Sequence, residues 1–393
     1  MPPAAASFDP EVLDQILDQV RRLVDDRLIP AEPEVDAADA IPEPIRAALR
    51  DMGLFGMSTP EAHGGLGLTL EAEVEVLFEL CRASVVFRSA LGTNNGIGAL
   101  GIIMDGTDEQ KSRYLPRIAS GELIASFALT EPDAGSDAAS LKTSARREGD
   151  RFVLNGTKRY ITNAPEAGVF TVMARTGGPG AAGITAFLVD RDTPGLSVGK
   201  WDRKMGQRGA HTADVTFADA PVPASAIIGG PENEGQGFRT AMKVLDRGRI
   251  HLSAVCVGAA ERLLAEALGY AMERKQFGAR IADFQLVQAM LADSRAEIFA
   301  ARAMVSDAAR RHDRAEPTST LAACCKLFCS EMVGRVADRA VQVHGGAGYM
   351  ADYAVERLYR DARLFRIYEG TTQIQQTLIG RNLVREAETG VRR

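Results

Sequence analysis

The period of the apolar positions changes twice along the chain. After Asp9 and Pro10, an N-cap and first-turn pair, Leu13, Ile16, Leu17, Val20 and Val24 recur on one face at helical spacing. Pro30 is expected to end that run. A second helix is predicted over about Glu43 to Met52, followed by Gly53-Leu54-Phe55-Gly56 and a loop from Pro60 to Gly67. Helical patterns then continue from Leu70 to about Ser120. Near Ser126 the texture becomes that of strands. Arg151-Phe152-Val153-Leu154 and Lys158-Arg159-Tyr160-Ile161-Thr162 flank Asn155-Gly156, which predicts a hairpin closed by an Asn-Gly turn. Val169 to Ala174 and Ile184 to Val189 read as further strands joined by a Gly-rich loop. Val215-Thr216-Phe217 is another, closed by Pro221 and Pro223. From Gly237 onward long amphipathic patterns return, over about Phe238 to Arg274, Asp283 to Arg311 and Thr318 to Val343, with a shorter one from about Thr372 to Arg385.

Helices, then strands, then helices imply segregated layers, not an alternating α/β fold. The expectation is a multi-domain α+β protein: an N-terminal all-α domain over 1–125, a middle β-barrel or sandwich domain over 126–236, and a C-terminal four-helix bundle over 237–393. A length of 393 residues agrees with several domains. Two glycine patterns resemble dinucleotide fingerprints, Gly96-Ile97-Gly98-Ala99-Leu100-Gly101 and Gly178-Pro179-Gly180-Ala181-Ala182-Gly183. Neither links a strand to a helix, as that use requires, so both are expected to be places of turning or close packing.

Composition narrows the function classes. The formal charge is −6 with both signs mixed along the chain, so no basic face suggests nucleic acid. The first residues, Met1 to Asp9, lack the positive and apolar regions of a secretory signal, and no stretch is apolar enough to span a membrane. A cytoplasmic location without membrane insertion is expected. Five cysteines do not form a disulfide framework, and Cys324, Cys325 and Cys329 lack the partners of a metal site, so no metal is expected.

Two segments carry the candidate chemistry. Phe127-Ala128-Leu129-Thr130-Glu131-Pro132-Asp133-Ala134-Gly135-Ser136-Asp137 is small and polar, able to offer N–H and hydroxyl donors to a ring edge or a phosphate; by itself it also fits a plain turn. The second runs from Gln342 to Leu383. It contains Gln342-Val343-His344-Gly345-Gly346-Ala347-Gly348-Tyr349 and Ile367-Tyr368-Glu369-Gly370-Thr371-Thr372-Gln373-Ile374. With Tyr160-Ile161-Thr162-Asn163, Met205-Gly206-Gln207-Arg208, Asp246-Arg247-Gly248-Arg249 and Glu273-Arg274-Lys275-Gln276-Phe277-Gly278, these segments resemble the acyl-CoA dehydrogenase family in order along nearly the whole chain.

The resemblance implies an FAD-dependent enzyme that desaturates an acyl-CoA thioester to the trans-2-enoyl-CoA. Glu369 would remove the α-proton, flavin N5 would take the β-hydride, and an electron-transfer flavoprotein would receive the electrons. It implies FAD contacts at Phe127, Leu129, Thr130, Gly135, Ser136, Tyr160, Thr162, Thr371 and Gln373. Tyr160 stands where the family often has Trp. Phe277 is implied as a further FAD contact, and Arg274, Gln285, Gln342 and Gly346 would reach a cofactor held mainly by the other subunit of a dimer, with Gly345 and Gly346 permitting close backbone approach; the assembly implied is a homotetramer, a dimer of dimers. Ser136, Asp246, Arg249 and Gly370 are implied in substrate binding. Some members carry the base at the position of Gly248, which glycine cannot serve. His344 receives no role. Chemistry supports Glu369 in one respect: a carboxylate shielded from water has a raised pKa, suited to proton abstraction near neutral pH. His251 and the Asn94-Asn95 pair are polar features near where an acyl chain would lie; they fit a helix-end or core role more readily than a substrate contact, and a short or branched acyl group is the expectation. An acyl-CoA oxidase using oxygen, and a non-catalytic acyl-CoA or flavin-binding protein, remain alternatives.

Overall fold

The structure is a computed structural model that describes residues 8–390. Residues 1–7, most of the stretch read above for a signal, and residues 391–393 lie outside the described residues. Asp9 caps helix α1 (Pro10–Leu23) by accepting from the Glu11 N–H at 2.9 Å. Contrary to expectation, Pro30 does not end this run. The chain passes through a π-turn, Val24–Leu28, into α2 (Ile29–Ala38). The wider turn resets the hydrogen-bond ladder, so Pro30 falls in the first turn of the next segment, where its missing N–H costs nothing. Then follow α3 (Glu43–Asp51), α4 (Leu70–Leu80), α5 (Val85–Asn95), α6 (Leu100–Asp105) and α7 (Asp108–Ala119). Every residue of α5 is buried.

The strands are β1 (Ala125–Ala128), β2 (Ser144–Glu148), β3 (Arg151–Thr162), β4 (Val169–Arg175), β5 (Ile184–Asp190), β6 (Leu196–Trp201) and β7 (Thr212–Pro223). The sheet runs β1-β4-β2-β3-β7-β6, with β5 pairing β4. The predicted Asn155-Gly156 hairpin is not there: Arg151 to Thr162 is one strand, and the hairpin joins β2 to β3 through Gly149 and Asp150. Asn155 instead marks a bulge, where the pairing of β3 with β7 shifts register between Leu154 and Gly156. Its side chain exchanges two hydrogen bonds of 2.9 Å with Asp219 across the bulge. Gly156 is required for close approach, since a Cβ there would stand 2.5 Å from Thr143 Oγ1. Strand β7 also continues through Pro221 and Pro223. Beyond Phe217 it no longer pairs with β6, so the side of β7 away from β3 needs no donor.

Helix α8 (Gly237–Glu273) is the spine of the C-terminal part, packed against α4, α9 (Gln285–Asp313), α10 (Ser319–His344) and β5. Every residue from Arg247 to Ala260 is buried, so this helix is covered all round. A two-residue ribbon, β8 (Lys275–Gln276) and β9 (Ala279–Arg280), separates α8 from α9; α11 (Ala354–Ala362) and α12 (Thr372–Thr389) follow α10. Buried ions join distant segments. Glu32 on α2 accepts from Arg262 of α8 at 3.1 Å, from Arg357 of α11 at 2.6 Å and from the Ser84 N–H at 2.6 Å. One glycine pattern lies between α5 and α6, where a Cβ on Gly98 would meet Ala125 O at 2.7 Å; the other is the loop between β4 and β5. All five cysteines are free thiols, four of them buried. No described helix is long and apolar enough to cross a membrane.

Candidate active site

Glu369 lies on the turn between α11 and α12, with φ +53° and Gly370 following at φ +87°. Left-handed backbone at a glutamate is strained, so surrounding bonds must hold it. Gln375 Nε2 donates to the carbonyls of Glu369 at 3.2 Å and Gly370 at 3.1 Å, and Lys326 Nζ donates to Gly370 O at 2.6 Å. The Thr371 hydroxyl caps α12 by accepting from Ile374 N–H at 3.3 Å. This turn swings the Glu369 side chain inward. The residue as a whole is half-exposed, yet its Oε2 is buried with no hydrogen-bond partner. Oε2 stands 3.0 Å from where a Cβ on Gly248 would be, so glycine on α8 leaves room for the carboxylate. The N–H groups of Glu369 and Gly370 find no protein acceptor among the described residues.

Burial pushes the Glu369 carboxyl pKa up; Arg88, Lys326 and Arg249, in that order, pull it back without cancelling the rise. Arg249 is buried, bonds Asp246 Oδ1 at 2.5 Å and keeps its Nε unpaired. Arg88 belongs to a buried chain. Its Nε–H donates to His251 Nε2 at 2.9 Å, which fixes the proton of the neutral imidazole on Nδ1, and Nδ1–H donates to Glu73, which also pairs with Arg247. Burial and the adjacent Arg88 push the His251 pKa down to about 4. For Glu73 burial acts upward, but Arg247 and His251 outweigh it and hold the carboxyl at about 2. Asn94 and Asn95 are spent on the core. Asn94 binds the carbonyls of Ile118 and Leu123 and the Ala125 N–H, while Asn95 binds Leu54 O and the Ser58 N–H.

A second group of residues gathers at the ends of β1 and β3. Phe127 and Leu129 are buried, Thr130 and Thr162 half-buried, and Gly135 and Ser136 exposed. Tyr160, at φ +59°, is 61% exposed with the Arg159 guanidinium 4.5 Å from its ring centre. Lys158 Nζ, fully buried, ties this edge by donating to Leu129 O at 3.1 Å and Glu131 at 2.8 Å. The unpaired hydroxyls of Thr130 and Thr162, the open glycine and the exposed ring fit the polar and aromatic edges of a flavin. Gln373 is exposed on α12.

A third group is remote. Arg274, Phe277, Gln285, Gln342, Gly345 and Gly346 are all exposed, and the Arg274 guanidinium has no partner among the described residues. Gly248 and Glu273 are 25 residues apart on α8, which at 1.5 Å per residue separates them by about 38 Å. Within one chain, Arg274 and Glu369 therefore do not meet. Sequence reasoning missed Arg88, Glu73, Lys326 and Gln375. The available signal was a charged residue inside an otherwise apolar or small-residue helix: Arg88 in α5, and Lys326 beside three cysteines.

Comparison with known proteins agrees with this arrangement. Residues 10–122, 126–220 and 235–384 match the N-terminal, middle and C-terminal domains of acyl-CoA dehydrogenases. A probable acyl-CoA dehydrogenase, fadE25, of Mycobacterium bovis is 41% identical over 96% of this chain and 98% of its own length. The caffeyl-CoA reductase-Etf complex subunit CarC of Acetobacterium woodii is 40% identical over 90% of this chain and 93% of its own. The butyryl-CoA dehydrogenase structure from Megasphaera elsdenii superposes with a TM-score of 0.91 at 34% identity, covering 96% of this chain and all of that one.

Proposed function

The chain belongs to the acyl-CoA dehydrogenase family of FAD-dependent enzymes, and from that premise we propose that Glu369 is the base that removes the α-proton of an acyl-CoA. The observation that carries the proposal is the buried, unpaired Oε2 of Glu369, facing the space that Gly248 leaves open. A carboxylate without donors in a dry site binds a proton readily, which suits abstraction from a weak carbon acid. The free N–H groups of Glu369 and Gly370 suit polarisation of the thioester carbonyl, which acidifies the α-carbon. Bound FAD supplies the acceptor for the hydride that leaves the β-carbon as the double bond forms. Leu129, Thr130, Gly135, Ser136, Tyr160 and Thr162 would hold it, and Asp246 and Arg249 would line the thioester side.

The stretch of about 38 Å along α8 from Gly248 to Glu273 supports a cofactor shared between copies: Arg274 and Phe277 of one chain would serve the FAD of another, as in a dimer of dimers. The likeness to CarC, a subunit of a caffeyl-CoA reductase-Etf complex, supports an electron-transfer flavoprotein as partner. The same likeness favours a second reading, in which this site runs the equilibrium toward enoyl-CoA reduction. The buried Arg88 and His251, paired between α5 and α8 on the Glu369 side, put polar groups there and support a short or branched acyl group.

Anaerobic mixing with a panel of acyl-CoAs tests the proposal. Flavin absorbance should bleach with at least one short or branched thioester, and Glu369→Gln should bind it yet reduce its flavin at least about a hundredfold more slowly. Bleaching followed by rapid reoxidation in air with peroxide release would instead identify an oxidase. No bleaching with any thioester, or wild-type rates in the variant, would overturn the assignment.

A further inference from the structure

Lys326 is 1% exposed, in the middle of α10, and it has no carboxylate within ion-pairing distance among the described residues. A buried ammonium without a counter-ion is costly, so it is expected to have a use. Its one hydrogen bond, 2.6 Å to Gly370 O, lands on the strained turn that aims Glu369. The groups facing Lys326 are Arg249 and Cys256 from α8, Glu331 from α10 itself and Glu369 from the turn.

We propose that Lys326 is a positioning residue for Glu369: its hydrogen bond to Gly370 O locks the left-handed turn, and its charge keeps the neighbouring carboxylate ionised. The two effects are separable. Gln375 Nε2 holds the oxygen of the Glu369–Gly370 peptide, so the trans N–H of that peptide, that of Gly370, points the opposite way, and Lys326 with Gln375 holds the oxygen of the next peptide, Gly370–Thr371. The charge acts through a dry interior, where a cation beyond ion-pairing distance still favours the ionised form of a carboxyl. Burial brings the Lys326 pKa down to about 8, so the ammonium form dominates at neutral pH and begins to fail above it.

The inference rests on Glu369 being the base, and the experiment keeps the two apart. In the FAD-loaded protein, Lys326→Met removes donor and charge, whereas Lys326→Gln keeps an N–H donor without charge. Flavin reduction by an acyl-CoA that bleaches the wild type is followed from pH 5 to 9. For Lys326→Met the reduction rate at neutral pH should fall about tenfold or more, with substrate KM within about twofold, as for a group felt mainly in the transition state. In both variants the acid limb should move up by about one pH unit, because a carboxyl that loses a nearby cation binds its proton more tightly. Lys326→Gln should recover much of the rate on the alkaline plateau. An acid limb unmoved in Lys326→Gln overturns the charge role, and wild-type reduction by Lys326→Met overturns the whole proposal. Loss of FAD or of the folded state in both variants would also overturn it, since a positioning residue leaves the fold standing. If Glu369→Gln reduces its flavin normally, it is the base assignment that fails.

Discussion

A glycine inside a helix ordinarily costs about 1 kcal/mol relative to alanine, and Gly248 sits in the buried middle of α8. The cost is explained by the carboxylate 3.0 Å from where its Cβ would be. Gly248→Ala should therefore trade activity for stability. The melting temperature should hold or rise, while the rate of flavin reduction should drop tenfold to about a hundredfold as the methyl displaces Oε2. Equal rates in the two proteins would show that the carboxylate does not need that space. Positions 248 and 369 were legible in the sequence because their segments are distinctive. The burial of Glu369 was not, since the inward swing depends on φ +53° at that residue and on donors 43 and six residues away. Arg88 was illegible for a similar reason. Its partner, His251, is 163 residues distant, and no local periodicity reports a tertiary hydrogen bond.

At the scale of elements, sequence periodicity found the long C-terminal helices to within a few residues and misjudged several local features, among them Pro30 and Asn155-Gly156. Pro30 reads as a stop because proline removes a donor from the α-helical ladder; the π-turn before it absorbs that loss, and no sequence period announces one. Asn155-Gly156 was read as a turn because that dipeptide usually is one, but the neighbouring Thr143 and Asp219 make it a bulge in a long strand. The ties between elements also set a pH dependence. His251 on α8 and Glu73 on α4 both have pKa values below their ordinary ones, about 4 and about 2. A lowered value means that the unfolded chain binds the proton first, so stability is full above pH 6.5 and falls as His251 and then Glu73 are drawn toward protonation. Melting temperature should decline from pH 6.5 toward 4. His251→Gln, whose amide can still accept from Arg88 and donate to Glu73, should flatten that decline. An unchanged slope in the variant would assign the acid sensitivity to other groups.

Across the whole molecule, burial of charge joins the parts that hydrophobic pattern only separates. Glu32 on α2 receives Arg262 and Arg357 from the C-terminal helices, and removing its charge leaves Arg262 with Glu266 alone and Arg357 with no ion-pair partner among the described residues. Glu32→Gln is expected to lower unfolding free energy by about 3 kcal/mol, measured as a fall in the denaturant midpoint, with little change in the rate of flavin reduction at low temperature. A midpoint within error of the wild type would show that the arginines find solvent instead. The three-layer order was legible from the switches of period. How the layers lock together was not, because Glu32, Arg262 and Arg357 each look like ordinary surface charges on amphipathic helices.

The place of Glu369 after α5, α8 and α10 in the chain has a consequence for biosynthesis. Arg88, Gly248 and Lys326 all leave the ribosome before it, and Gln375, which pins its carbonyl, leaves later still. A nascent chain can thus assemble its early helices, its sheet and the spine helix while lacking the group assigned to proton abstraction. A product cut short before that turn would lack Glu369, and one cut between the turn and Gln375 would keep the carboxyl but lose a donor that pins its backbone.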